Sequence, residues 1–252
     1  MIEIQQHPRG VLELRLARPP VNALSPELVV ALAKAVNDAP EQGHRALVLS
    51  GRPGMFTGGL DVPRLLALDA AGLRQFFTDF FALLRAFGES RIPVVAAMAG
   101  HAPAGGTVLA ALCDYRVMAE GGYKMGFNEH LVGLPVPRPV LVAFERLCGP
   151  RTAALYAMQG RVFDGAEALR IGLVEELVPP DQVLARALAW CDSVLAHPAP
   201  AAVARTRGYL RAPLVAAFRE ETGDADTFLH EWSHPDTQGA LRALVAKLKQ
   251  KG

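Results

Sequence analysis

Two glycine pairs stand where backbone, not side chains, would do the chemistry: Gly58-Gly59 in "GMFTGGLDV" and Gly105-Gly106 in "GHAPAGGTVLAALCDYRV". From Ala102 to Leu112 only Thr107 has a polar side-chain atom, so the second turn can offer little except its amides. Amides at a glycine-rich turn that opens a helix lack internal acceptors and suit negative charge, and glycine lets a ligand approach closely. If Leu60 and Gly105 each present an N–H to one oxygen, the pair holds a carbonyl as it becomes an enolate. Loss of one such donor typically costs about 100- to 1000-fold in rate. The same turns would also serve as tight packing joints, and on composition alone both uses stand open.

The elements that must position these turns follow from patterning. Residues 11–17, VLELRLA, alternate Leu12, Leu14 and Leu16 with Glu13 and Arg15, which predicts a half-buried strand paired in a hairpin with IEIQQ. Ser25-Pro26 gives an N-cap and a first-turn proline for a helix to about Asp38. RALVLSG (45–51) and IPVVAAM (92–98) read as buried strands, each followed by a glycine-rich loop and a helix, so the unit repeats. A helix is expected from Ala70 to about Gly88, with Phe76, Phe77, Phe80 and Phe81 on one face as core. Two short strands flank Gly121-Gly122, FNEHLVGLP starts a turn or short helix, and prolines 135, 137 and 139 mark a break. Asp164 and Glu167 suggest a capping box, Gly172 a C-cap, and LVEELV (173–178) a last strand. From about Asp181 the spacing is helical.

Composition narrows the class. The 252 residues suffice for a large core, 51% are hydrophobic, and 26 basic against 25 acidic residues leave no basic excess for nucleic acid. No long charge-free apolar run argues for a membrane span, and MIEIQQHPRG has no secretory pattern, so a soluble cytoplasmic protein is expected. Cys113, Cys148 and Cys191 are far apart and suggest neither disulfides nor a metal site.

"RPPVNALS", "GMFTGGLDV", "GHAPAGGTVLAALCDYRV", "GFNEHLVGLP" and "DGAEALRIGLVEELV", in this order, resemble the crotonase (enoyl-CoA hydratase/isomerase) superfamily along nearly the whole chain. The resemblance implies an α/β fold, a crotonase-like spiral of repeated ββα units over residues 1–195. It also implies a helical C-terminal region, 196–252, that covers the site and packs between subunits of a trimer or a dimer of trimers. The implied ligand is an acyl-CoA thioester, with no cofactor besides the coenzyme A of the substrate. By motif position the oxyanion amides fall on Leu60 and Gly105, and substrate binding falls on Ala23, Thr57, Gly58, Gly59, Asp61 and Asn128.

Hydratases of the family usually have one glutamate three residues after the oxyanion glycine and another in the loop that here reads NEHLVG. This chain has Val108 at the first position and Glu129 at the second. Water addition suits paired carboxylates, whereas moving a double bond from C3 to C2 needs one base that takes an α proton and returns it to the γ carbon. The wording "PAGG", "CDYR" and "NE" looks most like the Δ3,Δ2-enoyl-CoA isomerase branch, which works in fatty-acid β-oxidation. Glu129 is then the acid and base, in an apolar setting that would raise its pKa. The alternatives are a hydratase or another acyl-CoA enzyme of this fold, or a non-catalytic or RNA-associated assembly protein. His101 is expected to pack at the rim, Asp61 to cap a helix, Asp114 to bond structurally and Ser25 to act as an N-cap. Arg18 and Lys247, Lys249 and Lys251, the lysines from a neighbouring subunit, are candidates for CoA phosphates, with solvated surface charge the ordinary role.

Overall fold

The computed structural model describes residues 1–220 and 224–250. The chain opens with the expected hairpin, β1 (Ile2–His7) antiparallel to β2 (Val11–Leu16). The alternation in β2 fails at Glu13, which is buried. Its carboxylate accepts from the Ser50 hydroxyl at 2.5 Å and lies 2.8 Å from His7 Nε2, partners that make the burial tolerable. Helix α1 (Pro26–Glu41) starts at the Ser25 cap, which accepts from the Leu28 amide. It runs past Asp38 because Ala39 is buried in the core, and Pro40 is absorbed in its last turn.

A long strand, a step, a short strand and a helix then recur. The first pass is β3 (Ala46–Ser50), β4 (Gly54–Met55), α2 (Val62–Leu65) and α3 (Ala70–Gly88). The second is β5 (Val94–Met98), β6 (Gly100–Pro103) and α4 (Gly105–Ala111), so this helix begins at the glycine pair itself. The third is β7 (Tyr115–Ala119) and β8 (Lys124–Gly126), leading into a 3-10 turn, Glu129–Val132. After the prolines come α5 (Arg138–Cys148), α6 (Pro150–Met158), β9 (Phe163–Asp164), α7 (Gly165–Arg170) and β10 (Glu176–Val178). Asp164 caps α7 by accepting from the Glu167 amide at 3.0 Å, but the Glu167 carboxylate turns to Tyr156 and Arg170, so the capping box is half made.

Long strands join one sheet in the order β1-β2-β3-β5-β7-β10, parallel from β2 onward, and short strands form a second, β4-β6-β8-β9. Each of these three passes adds a strand to both sheets, so the chain winds as the expected spiral. The step between the sheets is tight, since a Cβ on Gly100 would lie 1.9 Å from the Gly54 carbonyl carbon. In β3, Leu47 and Leu49 enter the main core while Ala46 and Val48 face a second apolar layer that includes Val183, Ala187 and Cys191 of α8 (Val183–Leu195). A strand covered on both faces reads as one apolar run.

The C-terminal part is helical: α9 (Pro200–Glu220), α10 (Asp224–Ser233) and α11 (Pro235–Lys249). Arg207 and Arg211 of α9 pair with Asp114 at 2.8 and 3.0 Å, the structural role expected of that aspartate. Phe228 and Trp232 of α10 pack on Phe77 of α3. No helix among the described residues is long and apolar enough to cross a membrane.

Candidate active site

The first glycine turn is clamped by its neighbours. The Thr57 hydroxyl donates to the Asn22 carbonyl at 2.7 Å and accepts from the Gly59 amide at 3.2 Å. The Gly59 carbonyl accepts from the Leu24 amide at 2.8 Å. Across a trans peptide the N–H lies opposite the C=O, so the Leu60 N–H points away from Leu24. In the second turn the Thr107 hydroxyl donates to the Ala102 carbonyl and accepts from the Gly126 amide, both at 2.7 Å. The Ala104 carbonyl accepts from the Val108 amide at 2.9 Å, which turns the Gly105 N–H out of the helix by the same peptide geometry.

The turns lie against each other. A Cβ on Gly105 would stand 3.1 Å from Gly59 Cα and 2.9 Å from Leu24 Cδ1, and one on Gly106 would stand 2.9 Å from the Thr57 carbonyl oxygen. Glycine is required because backbone occupies the space of a side chain. The Leu60 and Gly105 amides find no acceptor among the described residues, and both residues line one cavity of about 560 Å³.

Glu129 reaches this cavity from the 3-10 turn after β8. Gly133 closes the turn at φ 78°, and its carbonyl accepts from the Thr237 hydroxyl of α11 at 3.2 Å. Glu129 Oε2 and Asn128 Oδ1 are buried with no hydrogen-bond partner among the described residues, although both side chains line the cavity. The other charged lining residues, Arg18 and Asp61, pair with each other at 2.6 Å. Burial therefore pushes the Glu129 carboxyl up to about 7, against the opposing pull of the Glu129 and Asn128 amides. Val108, 2% exposed, lines the same cavity.

Of the residues singled out in the sequence, Ala23, Gly58, Leu60, Asp61, Gly105, Asn128 and Glu129 meet at the cavity. Thr57 and Gly59 are buried behind its wall, where they shape the turn. Asp61 caps α2 by accepting from the Arg64 amide. Arg18 is engaged by Asp61 and the Ala23 carbonyl. His101 accepts from the Lys124 amide and packs edge-on to Tyr123, as a packing residue would. Phe80 lines the cavity, while Phe76 and Phe77 are core. Lys247 and Lys249 lie on α11, whose Leu241, Leu244 and Leu248 wall the cavity of this same chain, and Lys251 lies outside the described residues. The individual wall residues, with Phe228, were not singled out in the sequence because their helical spacing is that of any buried face.

Two free amides facing a cavity can hold an anionic oxygen, and a carboxyl near neutrality can move a proton beside it, a pairing chemically suited to acid–base work next to a carbonyl. The family described as enoyl-CoA hydratase/isomerase matches residues 6–251. Enoyl-CoA delta isomerase 1, mitochondrial, of Mus musculus is 32% identical over 249 residues, covering 97% of this chain and 86% of the relative. A probable enoyl-CoA hydratase of Mycobacterium tuberculosis is 34% identical over 209 residues, covering 79% and 76%. The crystal structure of human mitochondrial delta3-delta2-enoyl-CoA isomerase superposes with a TM-score of 0.92 at 28% identity, covering 99% of this chain and 98% of that one. The chain belongs to the enoyl-CoA hydratase/isomerase family.

Proposed function

We propose that this protein is a Δ3,Δ2-enoyl-CoA isomerase that converts 3-enoyl-CoA to trans-2-enoyl-CoA. The observation that supports this most is the lone carboxyl: Glu129 stands in an apolar cavity with its Oε2 unpartnered among the described residues, and Val108 stands where a hydratase would have its second carboxylate. Ionised Glu129 takes the proton from C2 of the substrate. The C2–H electron pair becomes the C1=C2 bond of a dienolate as the thioester C=O π pair moves onto oxygen. When the proton returns, the oxygen pair re-forms C1=O, the C1=C2 pair becomes C2=C3, and the C3=C4 pair takes the proton at C4. In between, the negative charge rests on the thioester oxygen, held by the Leu60 and Gly105 amides. Glu129 delivers the proton to C4 and is ionised again. A carboxyl near pKa 7 suits both halves, since at neutral pH it is neither a spent base nor a reluctant acid.

The reaction needs no cofactor beyond the coenzyme A that the substrate brings. Ala23, Gly58, Asp61 and Asn128 are the proposed substrate contacts. The assembly that goes with this reading is a homotrimer or a dimer of trimers, supported by exposed apolar side chains on the helices, Met158 and Tyr209 among them. Light scattering in solution checks it.

The deciding assay offers purified protein 3-enoyl-CoA and 2-enoyl-CoA of several chain lengths. The double-bond shift is expected with the first, and efficient hydration of the second without any shift would sink the assignment. Glu129→Gln keeps the shape and removes the base, so its rate should fall by about 100- to 10,000-fold. Near-normal turnover in that variant would place the base elsewhere.

A further inference from the structure

Ala104 is one of three non-glycine residues with positive φ among the described residues, at φ 48° and ψ −120°, a conformation that favours glycine. It immediately precedes Gly105 and lines the cavity. Both of its peptide groups are held: its amide donates to the Gly126 carbonyl at 2.9 Å, and its carbonyl accepts from the Val108 amide at 2.9 Å. Those two bonds fix the backbone twist that aims the Gly105 N–H outward. They do not explain why the residue has a side chain there at all. The methyl group has a neighbour, however. A Cβ built on Gly59 would lie 3.0 Å from Ala104 Cβ, so the methyl rests against the bare α carbon of the residue that precedes Leu60.

We propose that the Ala104 methyl is a wedge between the two glycine turns and sets the distance between the Leu60 and Gly105 amides. The turns also meet at Gly59 against Gly105 and at Thr57 against Gly106, but only the Ala104 methyl lies between the two residues that immediately precede the Leu60 and Gly105 amides. Strain at Ala104 persists because the spacing it gives serves the site, a common origin of unusual backbone angles near active centres. Ala104 is a positioning residue: it acts through the two amides. The inference rests on the proposed binding of a thioester oxygen by those amides.

The test is Ala104→Gly, read by three measurements. Glycine relieves the strained backbone but frees the unfolded chain, two opposed effects, so Tm should stay level or rise. The value of kcat should fall by about 10- to 100-fold with KM nearly unchanged, the scale of loss when a reacting group is slightly misplaced. Infrared spectra of bound butyryl-CoA labelled with ¹³C at the carbonyl should show a smaller red shift of that carbonyl than in the wild type. Ala104→Ser restores the Cβ and should recover most of kcat and of the red shift. A kcat within twofold of wild type, a red shift equal in both proteins, or a fall in Tm that accompanies the loss of kcat overturns the wedge alone. No red shift in the wild-type complex overturns oxygen binding by the two amides, and the wedge with it.

Discussion

Glu129 sits near pKa 7 where an ordinary glutamate lies at 4.5, so between those values the unfolded chain gives up a proton that the folded protein keeps. Stability contributed by this group is full below about pH 4.5 and is lost as pH rises to about 7. The loss amounts to about 3 kcal/mol for a fully buried group. Activity runs the other way, since the ionised form is the base in the proposed mechanism: kcat/KM should rise through a midpoint near 7. Glu129→Gln removes this one titration, so the Tm difference between variant and wild type should grow in the variant's favour from pH 5 to pH 8 in calorimetry. A constant difference would mean that the carboxyl is not held neutral by burial. Val108→Glu tests the opposite residue: a second carboxyl at a 2%-exposed position should cost about 2–4 kcal/mol. Like charge nearby should also move the pH–rate midpoint above 7. Glu129 was picked out as the candidate acid and base from its motif and from Val108, whereas its raised pKa depends on walls that approach from distant parts of the chain.

At the scale of elements, the glycine turns were readable because a side chain is physically excluded there. Gly105→Ala should therefore fold poorly around Gly59 and Leu24, whose atoms lie 3.1 and 2.9 Å from the new Cβ. Where it folds, turnover should drop by about 100-fold or more as the amide shifts. Circular dichroism with single-turnover kinetics separates the two effects, and unimpaired turnover would show that the Gly105 amide does no catalytic work. Other elements escaped notice for different reasons. Strands β4 and β9 have two residues each, too few to show alternation. Glu13 broke a clear alternation because Ser50 and His7, remote or just outside the strand, supply its partners. Strand β6, "GHAP", has nothing of a strand in its composition and exists because β4 and β8 pair on either side of it.

At the scale of the whole molecule, the apolar wall of the cavity is an assembly of parts far apart in sequence: Phe80 from α3, Phe228 from α10, and Leu241, Leu244 and Leu248 from α11. Their helical spacing was readable, but which of them would line the cavity was not, since an apolar helix face packs as well on a core as on a cavity. Helix α11 also touches the turn that carries Glu129 directly, through Thr237 on Gly133. Leu241 is fully buried on this helix, and Leu241→Ala should cost about 2–5 kcal/mol as lost burial and cavity. If α11 keeps water from Glu129, the new space admits it, and the carboxyl loses the desolvation that raised its pKa. The kcat/KM midpoint should then move down from about 7 toward 4.5, with a lower plateau because a weaker base meets the same carbon acid. Comparison of the two pH–rate profiles with the two melting curves decides the matter. A lowered Tm with an unmoved midpoint would make α11 packing alone, while a lowered Tm with an acid-shifted midpoint would make it the element that tunes the base.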